Sequence, residues 1–600
     1  MEPTPTSRPR GRRRARRGRR KTVGLVILAL VVIVVGLVAW VGVRAGLARA
    51  ELEAAIPLAG DMQRQVVAGE GDAARLTGEK LTERAASAAV LTSDPVWRAF
   101  EVVPALGPNL AVVRQLAGAI NDLAQDGIAP LAQVAGQISV DDFRPVDGTV
   151  DVQPLLAAQP AVSQALTAMR TAQTQVAEID GDGTIDQVAE AVVRLSTAVN
   201  AAEPALDAVD KAVRVVPNML GASGPRNYLV LVQNPAELRS TGGIMGAVAL
   251  VHTEAGSIQL TQQASGASFP RHPESVLELP TDTRNLYGAI TGQYMLNVGL
   301  TPRFPLSAAL AKEMWRLQYG LEVDGVLSID PVALSYILAA TGPIALPSGD
   351  SLTSDNAVSL LLTDVYQRFE APKEQDDFFA AAAASVFSAV AGGDADPVAL
   401  IEALAKAGAE HRVLVWSAAD AEQAVLDNTT LAGGLPASDA DTERFGLYLN
   451  DATGAKMDTY LDVSTSVGQV TCRNDKRPNF GVEVTLTNTA HSDAGKALPK
   501  YVTGGTQFGV SPGNVKTIVS GYASPEVQNL GLTRDGQAAP YLPASDEGFQ
   551  VSALTVELAP GQSTVIRYNW LGTAPFDGDL ELQMTPVIHR NETKKLDMTC

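Results

Sequence analysis

The sequence predicts a multidomain α+β protein: an N-terminal transmembrane helix, an Ala-rich helical region, a central α/β domain and a C-terminal immunoglobulin-like β-sandwich. Three observations predict this order: an uncharged apolar run near the N-terminus, helical periodicity to about residue 216, and strand-like segments after it. The predicted divisions are a basic cytoplasmic tail (1–21), the transmembrane helix (22–43), the helical region (44–216), the α/β domain (217–445) and the sandwich (446–600).

The N-terminus combines a basic tail with a membrane-length apolar segment. Residues 8–21, "RPRGRRRARRGRRK", contain ten basic side chains, and no charge follows from Thr22 to Val43. Such a segment spans roughly 30 Å as a helix. The basic flank places the tail in the cytoplasm and the rest of the chain outside a cell membrane. A signal peptide cleaved after Ala50 is the competing interpretation, because Ala48-Arg49-Ala50 fits a small-x-small site.

The charge distribution argues against a nucleic-acid partner. The net charge is −19, and the first 21 residues carry +9, so the remainder carries −28. A domain that binds phosphate backbones would be basic. The basic tail instead suits anionic lipid head groups beside the membrane span.

Periodicity divides the chain after the anchor. Residues 108–138 repeat apolar side chains every three or four positions, which predicts helices. After residue 225, strand-like runs such as "RNYLVLVQ" and "VDGVLSID" alternate with helical ones such as "PLSAALAKEMWRLQYG", which predicts an α/β layer with a partly parallel sheet. From about residue 456, strand runs separated by turn residues predict the sandwich.

Cys472 and Cys600 are the two cysteines of the sequence. On the predicted topology both lie in an oxidising compartment, so we expect a disulfide that ties the last residue to an internal strand. Their spacing predicts neither a metal site nor a redox motif.

Two motif matches fail on their chemistry. "GVSPG" (509–513) fits the serine-hydrolase expression G-x-S-x-G, but the residue after the serine is Pro512, which has no N–H for an oxyanion hole. "EIDGDGTID" (178–186) resembles a calcium loop, but Ala189 stands where the bidentate carboxylate should be. We interpret both segments as turns.

The segment "NPAELRSTGG" (234–243) lies between two predicted strands and has two interpretations. In the structural one, Asn234-Pro235 makes a turn, Glu237 and Arg239 form a surface pair, and Gly242-Gly243 permits a bulge. In the functional one, exposed backbone N–H groups and the Arg239 guanidinium hold a phosphate or a carboxylate. The sequence leaves both open.

The exported chain resembles the DUF4012 family of single-pass membrane proteins, typical of actinobacteria and related bacteria. The resemblance rests on "RNYLVLVQNPAELRSTGG", "NVGLTPRFPLSAALAKEMW", "VDGVLSIDPVALSYILAATGPIALPSG" and "LAPGQSTVIRYNW", and extends over roughly residues 22–600. The resemblance implies single-pass topology and a location in the cell envelope. It implies no activity, since the family has none established.

The order of segments from about 226 to 390 also resembles the LytR-CpsA-Psr phosphotransferases, which move glycopolymers from polyprenyl-pyrophosphate carriers to the cell wall. Two departures weaken the expectation of catalysis. Where the family has Arg-Ser-Asp, this sequence has Arg239-Ser240-Thr241 and so lacks the metal-binding carboxylate. Where the family has paired arginines, this sequence has only Arg368 and Lys373. The sequence therefore leaves open whether the protein is an enzyme.

These resemblances imply a role in assembling an envelope glycopolymer or exopolysaccharide, with binding of a lipid-linked or anionic glycan intermediate. The expected binding residues are Arg239, Arg303 and Arg368, supported by Glu237 and Asp324. No cofactor is indicated, although a divalent cation stays open. The alternative is a non-catalytic surface protein that contacts other envelope proteins. A cavity beside the arginines would favour binding, and a flat exposed Glu237/Arg239 pair would favour the alternative.

Overall fold

The computed structural model describes residues 15–135, 140–589 and 592–600, so residues 1–14 of the predicted basic tail lie outside the described residues. The protein is mixed helical and stranded, as predicted. It forms two compact units: one contains residues up to 139 together with 153–214, and the other contains 140–152 together with 215–600. The predicted domain boundaries stay a prediction.

The first unit begins with one long apolar helix. Helix α1 (Ala15–Val67) exposes almost all of its apolar side chains between residues 25 and 38, whereas Val41 is buried against Trp97 and Leu110. A helix of this length and composition is compatible with a single-pass membrane anchor, and a signal sequence would give the same pattern.

The remaining helices of the first unit pack mainly through alanines, with fully buried Ala74, Ala85, Ala88 and Ala117 at their contacts. Small side chains let helix axes approach closely, which explains a bundle so poor in aromatic residues. The "EIDGDGTID" segment is an interhelical turn, as predicted. The helices are α2 (Gly71–Thr92), α3 (Pro95–Phe100), α4 (Gly107–Leu123), α5 (Ala129–Ala135), α6 (Gln153–Ala177) and α7 (Asp186–Met219).

The second unit contains a five-stranded sheet in the order β3-β2-β1-β4-β7, in which β1 and β4 are parallel and the other pairs are antiparallel. The predicted partly parallel sheet is therefore present. Its strands are β1 (Arg226–Asn234), β2 (Ile244–Glu254), β3 (Ser257–Ser265), β4 (Gly325–Ile329) and β7 (Leu414–Ser417), and a separate hairpin pairs β5 (Ile344–Ala345) with β6 (Ser351–Leu352).

Helices cover this sheet and connect its strands. The predicted helices at 305–320, 331–342 and 376–393 are present as α9, α10 and α13. The bounds are α8 (Thr281–Tyr287), α9 (Phe304–Tyr319), α10 (Pro331–Thr341), α11 (Ala357–Ser359), α12 (Val365–Arg368), α13 (Pro372–Ala391), α14 (Pro397–Ala409) and α15 (Asp420–Leu426), with a π-helical turn at Leu360–Asp364.

The C-terminal part packs two sheets, in the orders β13-β12-β16-β10-β9-β18 and β14-β15-β11-β8-β17, around one core. Phe445, Phe480 and Trp570 lie at its centre. The immunoglobulin-like class is not confirmed. The strands and short helices are β8 (Thr442–Asp451), β9 (Leu461–Val470), β10 (Asn479–Asn488), α16 (Ala494–Ala497), α17 (Lys500–Thr503), β11 (Val515–Ala523), β12 (Val527–Arg534), β13 (Gln537–Ala538), β14 (Leu542–Asp546), β15 (Phe549–Leu558), β16 (Ser563–Gly572), β17 (Asp579–Met584) and β18 (Lys594–Lys595).

Two predictions about this region are confirmed. Cys472 and Cys600 form a disulfide with 5.5 Å between their Cα atoms. The "GVSPG" segment is a turn that leads into β11, with Gly509 and Gly513 at positive φ angles of 66° and 93°.

Candidate functional site

The two faces of the five-stranded sheet have different environments. On one face Leu229, Leu231, Val248 and Leu250 pack against α9 in a filled core. The opposite face, which includes the cross-strand pairs Val230/Ala249 and Val232/Ala247, borders a cavity of about 690 Å³. A volume of this size falls within the range of small-molecule sites.

Helix α13 forms the wall opposite the sheet. Its cavity-lining side chains recur every three or four positions and are Phe379, Ala382, Ala383, Val386, Phe387 and Val390. From Asp376 to Val390 this wall extends about 21 Å along the helix axis. Leu334 and Ile337 of α10 add further apolar surface. The cavity is thus elongated, with apolar walls on both sides.

One end of the cavity is charged. It lies at the carboxyl ends of the parallel strands β1 and β4, where ligands commonly bind in such sheets. Glu237 there accepts a hydrogen bond of 2.7 Å from Nη2 of Arg239 and another from Nζ of Lys456. All three side chains line the cavity and are at least nine-tenths buried. We call Glu237, Arg239 and Lys456 the charged cluster.

The charged cluster holds its groups ionised despite burial. Burial opposes ionisation of Glu237, but Lys456 and Arg239 together outweigh it and lower the pKa of Glu237. Burial likewise opposes the charge on Lys456, and the neighbouring Glu237 carboxylate raises the pKa of Lys456 above its ordinary value. The cluster therefore presents charge to an otherwise apolar cavity.

Arg239 uses only part of its donor capacity within the protein. Its Nη1 donates to the Leu238 carbonyl at 2.8 Å, and its Nη2 also approaches Oδ1 of Asn297 at 3.3 Å. Its buried Nε has no hydrogen-bond acceptor among the described residues. A buried donor without a partner is costly, so the protein leaves the Arg239 guanidinium incompletely satisfied.

The loop that carries Glu237 and Arg239 is rigidly held, and this corrects both interpretations of it. The pair is buried, not on the surface. The backbone N–H groups do not form an exposed anion cradle either, because they donate inside the protein: that of Leu238 to Asp458, that of Ser240 to Asn450 and that of Gly243 to Gln233. Those of Ala236, Glu237, Thr241, Gly242 and Ile244 are also bonded.

Glycine is required in this loop for two different reasons. Gly242 has a φ of 140°, which side-chain-bearing residues rarely adopt. A Cβ on Gly243 would lie 2.3 Å from the Asn234 carbonyl carbon, so the backbone approaches too closely for any side chain. The predicted bulged, glycine-dependent backbone is therefore observed, and it serves to bring Glu237 and Arg239 to the cavity.

Two more carboxyl groups lie behind the charged cluster. Burial, together with the nearby Glu237 charge, raises the pKa of Asp451 to about 7. Burial, followed by the repulsion of Asp451, raises the pKa of Asp458. Asp451 accepts hydrogen bonds from the hydroxyl and the backbone N–H of Thr453. These acids make the electrostatics of the cluster sensitive to pH near neutrality.

Aromatic side chains from the C-terminal region also reach the cavity. Tyr501 and Phe508 both line it and are 44% and 43% exposed. The backbone N–H of Lys456 donates to the Val502 carbonyl, which ties the cluster to the helix that carries Tyr501. Tyr501 and Phe508 both belong to the β10–β11 connection, and the structure brings this connection to the cavity beside Lys456.

The other predicted binding residues lie elsewhere. Arg303 is an ion-pair partner of Asp546 and Glu547, Asp324 accepts from the backbone N–H of Asn227 at 2.7 Å, and Arg368 pairs with Asp350 at 2.8 Å. None of the three predicted residues lines this cavity. Of the predicted set, the structure brings together only Glu237 and Arg239.

No metal site emerges from the described residues: they contain no group of three His, Cys, Asp or Glu side chains arranged to hold a metal ion.

Lys456 and the two buried aspartates were missed by sequence reasoning. Lys456 lies 219 positions from Glu237 along the chain. No local pattern in the sequence relates two residues so far apart.

The fold and the site define a class of protein in which an α/β layer and a two-sheet C-terminal region line an apolar cavity with a charged end, and an apolar helix precedes both in the sequence. Residues 223–366 match the family model described as "Protein of unknown function (DUF4012)". The predicted DUF4012 resemblance is thereby confirmed over this segment, which contains Glu237 and Arg239 but not Lys456. The match does not show the LytR-CpsA-Psr resemblance. No curated protein matches the chain.

Proposed function

We propose that this protein is a cell-envelope protein that binds a lipid-linked anionic glycan intermediate during assembly of an envelope glycopolymer or exopolysaccharide. The observation that carries the proposal is the elongated apolar cavity that ends at the charged cluster. An apolar chain fits the walls between the sheet and α13, and an anionic group fits the end where Arg239 and Lys456 lie.

The physical argument concerns what can fill such a cavity. Apolar cavities far smaller than 690 Å³ stay dry and bind apolar molecules, because water there finds too few hydrogen-bond partners. A hydrocarbon chain would restore the dispersion contacts that an empty space lacks. The apolar helix α1 supports the proposal because an anchored protein meets lipid-linked molecules at the membrane surface.

The proposal is tested by mass spectrometry of lipids that copurify with the full-length protein from its native membrane. The test variant is Ala383→Phe, which places a ring in the cavity from α13. Its control is Ser388→Phe, at an exposed position of the same helix. We expect an isoprenoid-phosphate species in the wild type and the control, and its loss from the test variant. Equal amounts of bulk phospholipid alone in all three preparations would overturn the proposal.

A further inference from the structure

The charge of the cavity limits the charge of its ligand. The charged cluster has two cations and one carboxylate, which leaves one net positive charge. Asp376 also lines the cavity, and as a carboxylic acid it cannot add positive charge. Asp330, another lining residue, is matched by Arg412 at 2.6 Å, and Arg412 in turn contacts Glu410 at 2.8 Å. The wall therefore offers at most one net positive charge.

Two basic residues at or near α13 are engaged outside the cavity. Lys373, near the start of α13, pairs with Asp377 at 2.6 Å, and its side chain is 83% exposed. Arg368 pairs with Asp350. Because a buried charge must be paired to be tolerated, a ligand with two or more negative charges would leave part of its charge unmatched.

The hydrogen bonding of Arg239 indicates which kind of ligand atom suits the charged end of the cavity. Nε of Arg239 is buried and unpartnered among the described residues, while both Nη atoms of the same guanidinium are engaged. The guanidinium thus has donor capacity that these contacts do not use, and a phosphate oxygen at this end would supply a charge-assisted acceptor.

Building on the proposed function, we infer that the head group bound at the charged cluster is a single phosphate in diester linkage, carrying one negative charge, and not a pyrophosphate. A phosphodiester keeps one charge at all physiological pH values. A phosphate monoester gains its second charge with a pKa of about 6, and a pyrophosphate carries at least two charges. Of these three head groups, only the diester brings no more than one negative charge to the charged cluster.

Two kinds of lipid share this chemistry: an isoprenoid phosphate joined to a sugar, and a glycerophospholipid such as phosphatidylglycerol. They differ in the number and shape of their apolar chains and in what lies beyond the phosphate. The test therefore includes both, so that the source of the phosphodiester is identified by the same measurement.

The experiment is isothermal titration of the full-length protein in detergent micelles with farnesol, farnesyl phosphate methyl diester, farnesyl pyrophosphate and dihexanoyl phosphatidylglycerol, without added metal. We expect the farnesyl diester to bind about tenfold or more tighter than both the alcohol and the pyrophosphate. Tighter binding of phosphatidylglycerol than of the farnesyl diester would identify a glycerophospholipid as the source.

The outcomes separate the two proposals. Pyrophosphate binding as tight as that of the diester overturns the single-phosphate inference but leaves the proposed function standing. Binding of phosphatidylglycerol alone leaves the single-phosphate inference standing but overturns the proposed function, and absence of binding by every compound overturns both. Glu237→Gln supplies a further check, because it adds one net positive charge and should shift preference toward the pyrophosphate. An unchanged preference in a folded Glu237→Gln variant also contradicts the inference, and the wild-type series decides the question if that variant does not fold.

Discussion

At the scale of single residues, burial determines what the polar groups of the site do. Glu237 and Arg239 sit two positions apart in a loop, an arrangement that on an exposed surface would contribute little. Here both are nearly inaccessible, and Lys456 completes the neutralisation of Glu237. Removing Glu237 would leave two buried cations without their carboxylate, whereas removing either cation would leave Glu237 with one cationic partner.

Asp451 gives a prediction about pH. The unfolded carboxyl group ionises near pH 4, whereas the folded one holds its proton to about pH 7 because it is buried near Glu237 and Asp458. The folded state therefore binds the extra proton, and the free energy of unfolding falls as the pH rises from 4 to 7. Asp451→Asn should flatten this dependence, as measured by urea unfolding of the full-length protein at several pH values.

The control for this prediction is Asp439→Asn, because Asp439 is exposed and its pKa is lowered, chiefly by a hydrogen bond from Arg444. That variant should leave the decline between pH 4 and 7 in place. A decline equally steep in Asp451→Asn would show that another group, Asp458 being the first candidate, takes up the proton.

At the scale of elements, the sheet separates a filled core from an unfilled space. Ala308 of α9 is fully buried on the packed face, and Ala383 of α13 faces the cavity. We expect Ala308→Phe to overpack the core and lower the free energy of unfolding by about 1–3 kcal/mol, whereas Ala383→Phe should change it little because space is present. Thermal and urea unfolding of both variants measure the difference.

This comparison is informative because the two substitutions are chemically identical and both lie on helices that cover the same sheet. Similar destabilisation by both would mean that the space beside α13 closes in solution. In that case the cavity could not hold a ligand chain without a rearrangement of the helix.

At the scale of the whole molecule, the disulfide fixes the C-terminal end. Cys472 and Cys600 close a loop with a sequence separation of 128, and the terminal segment adds β18 to the edge of β9. On the chain-entropy account, Cys600→Ser should destabilise the second unit by about 4–5 kcal/mol. Urea unfolding of the full-length protein measures this change. The Cys472→Ser/Cys600→Ser double variant should match the single variant, and a further loss would indicate a role of Cys472 beyond the bond.

The sequence by itself determined the local features of this protein. The apolar run after a basic tail, the helical region before residue 216, the strands around 226–251, α9, α10 and α13, and the disulfide all follow from composition, periodicity and the number of cysteines. The sequence analysis missed weaker strands. In β3, for example, the few apolar side chains are interspersed with glutamine and threonine, so the apolar pattern is faint. The sequence also singled out Glu237 and Arg239, because charged residues and two glycines between apolar strands are unusual.

Only the tertiary structure decided which of these residues meet. Arg303 and Arg368 carry the same charge as Arg239, yet Arg303 pairs with the C-terminal region and Arg368, itself exposed, pairs with Asp350. Lys456, Asp451 and Asp458 reach Glu237 because the C-terminal region packs against the loop. The cavity exists because small side chains on β2 and α13 face each other across a gap. Charge and periodicity are local properties of a sequence, whereas burial, pairing and empty space depend on which distant segments come into contact.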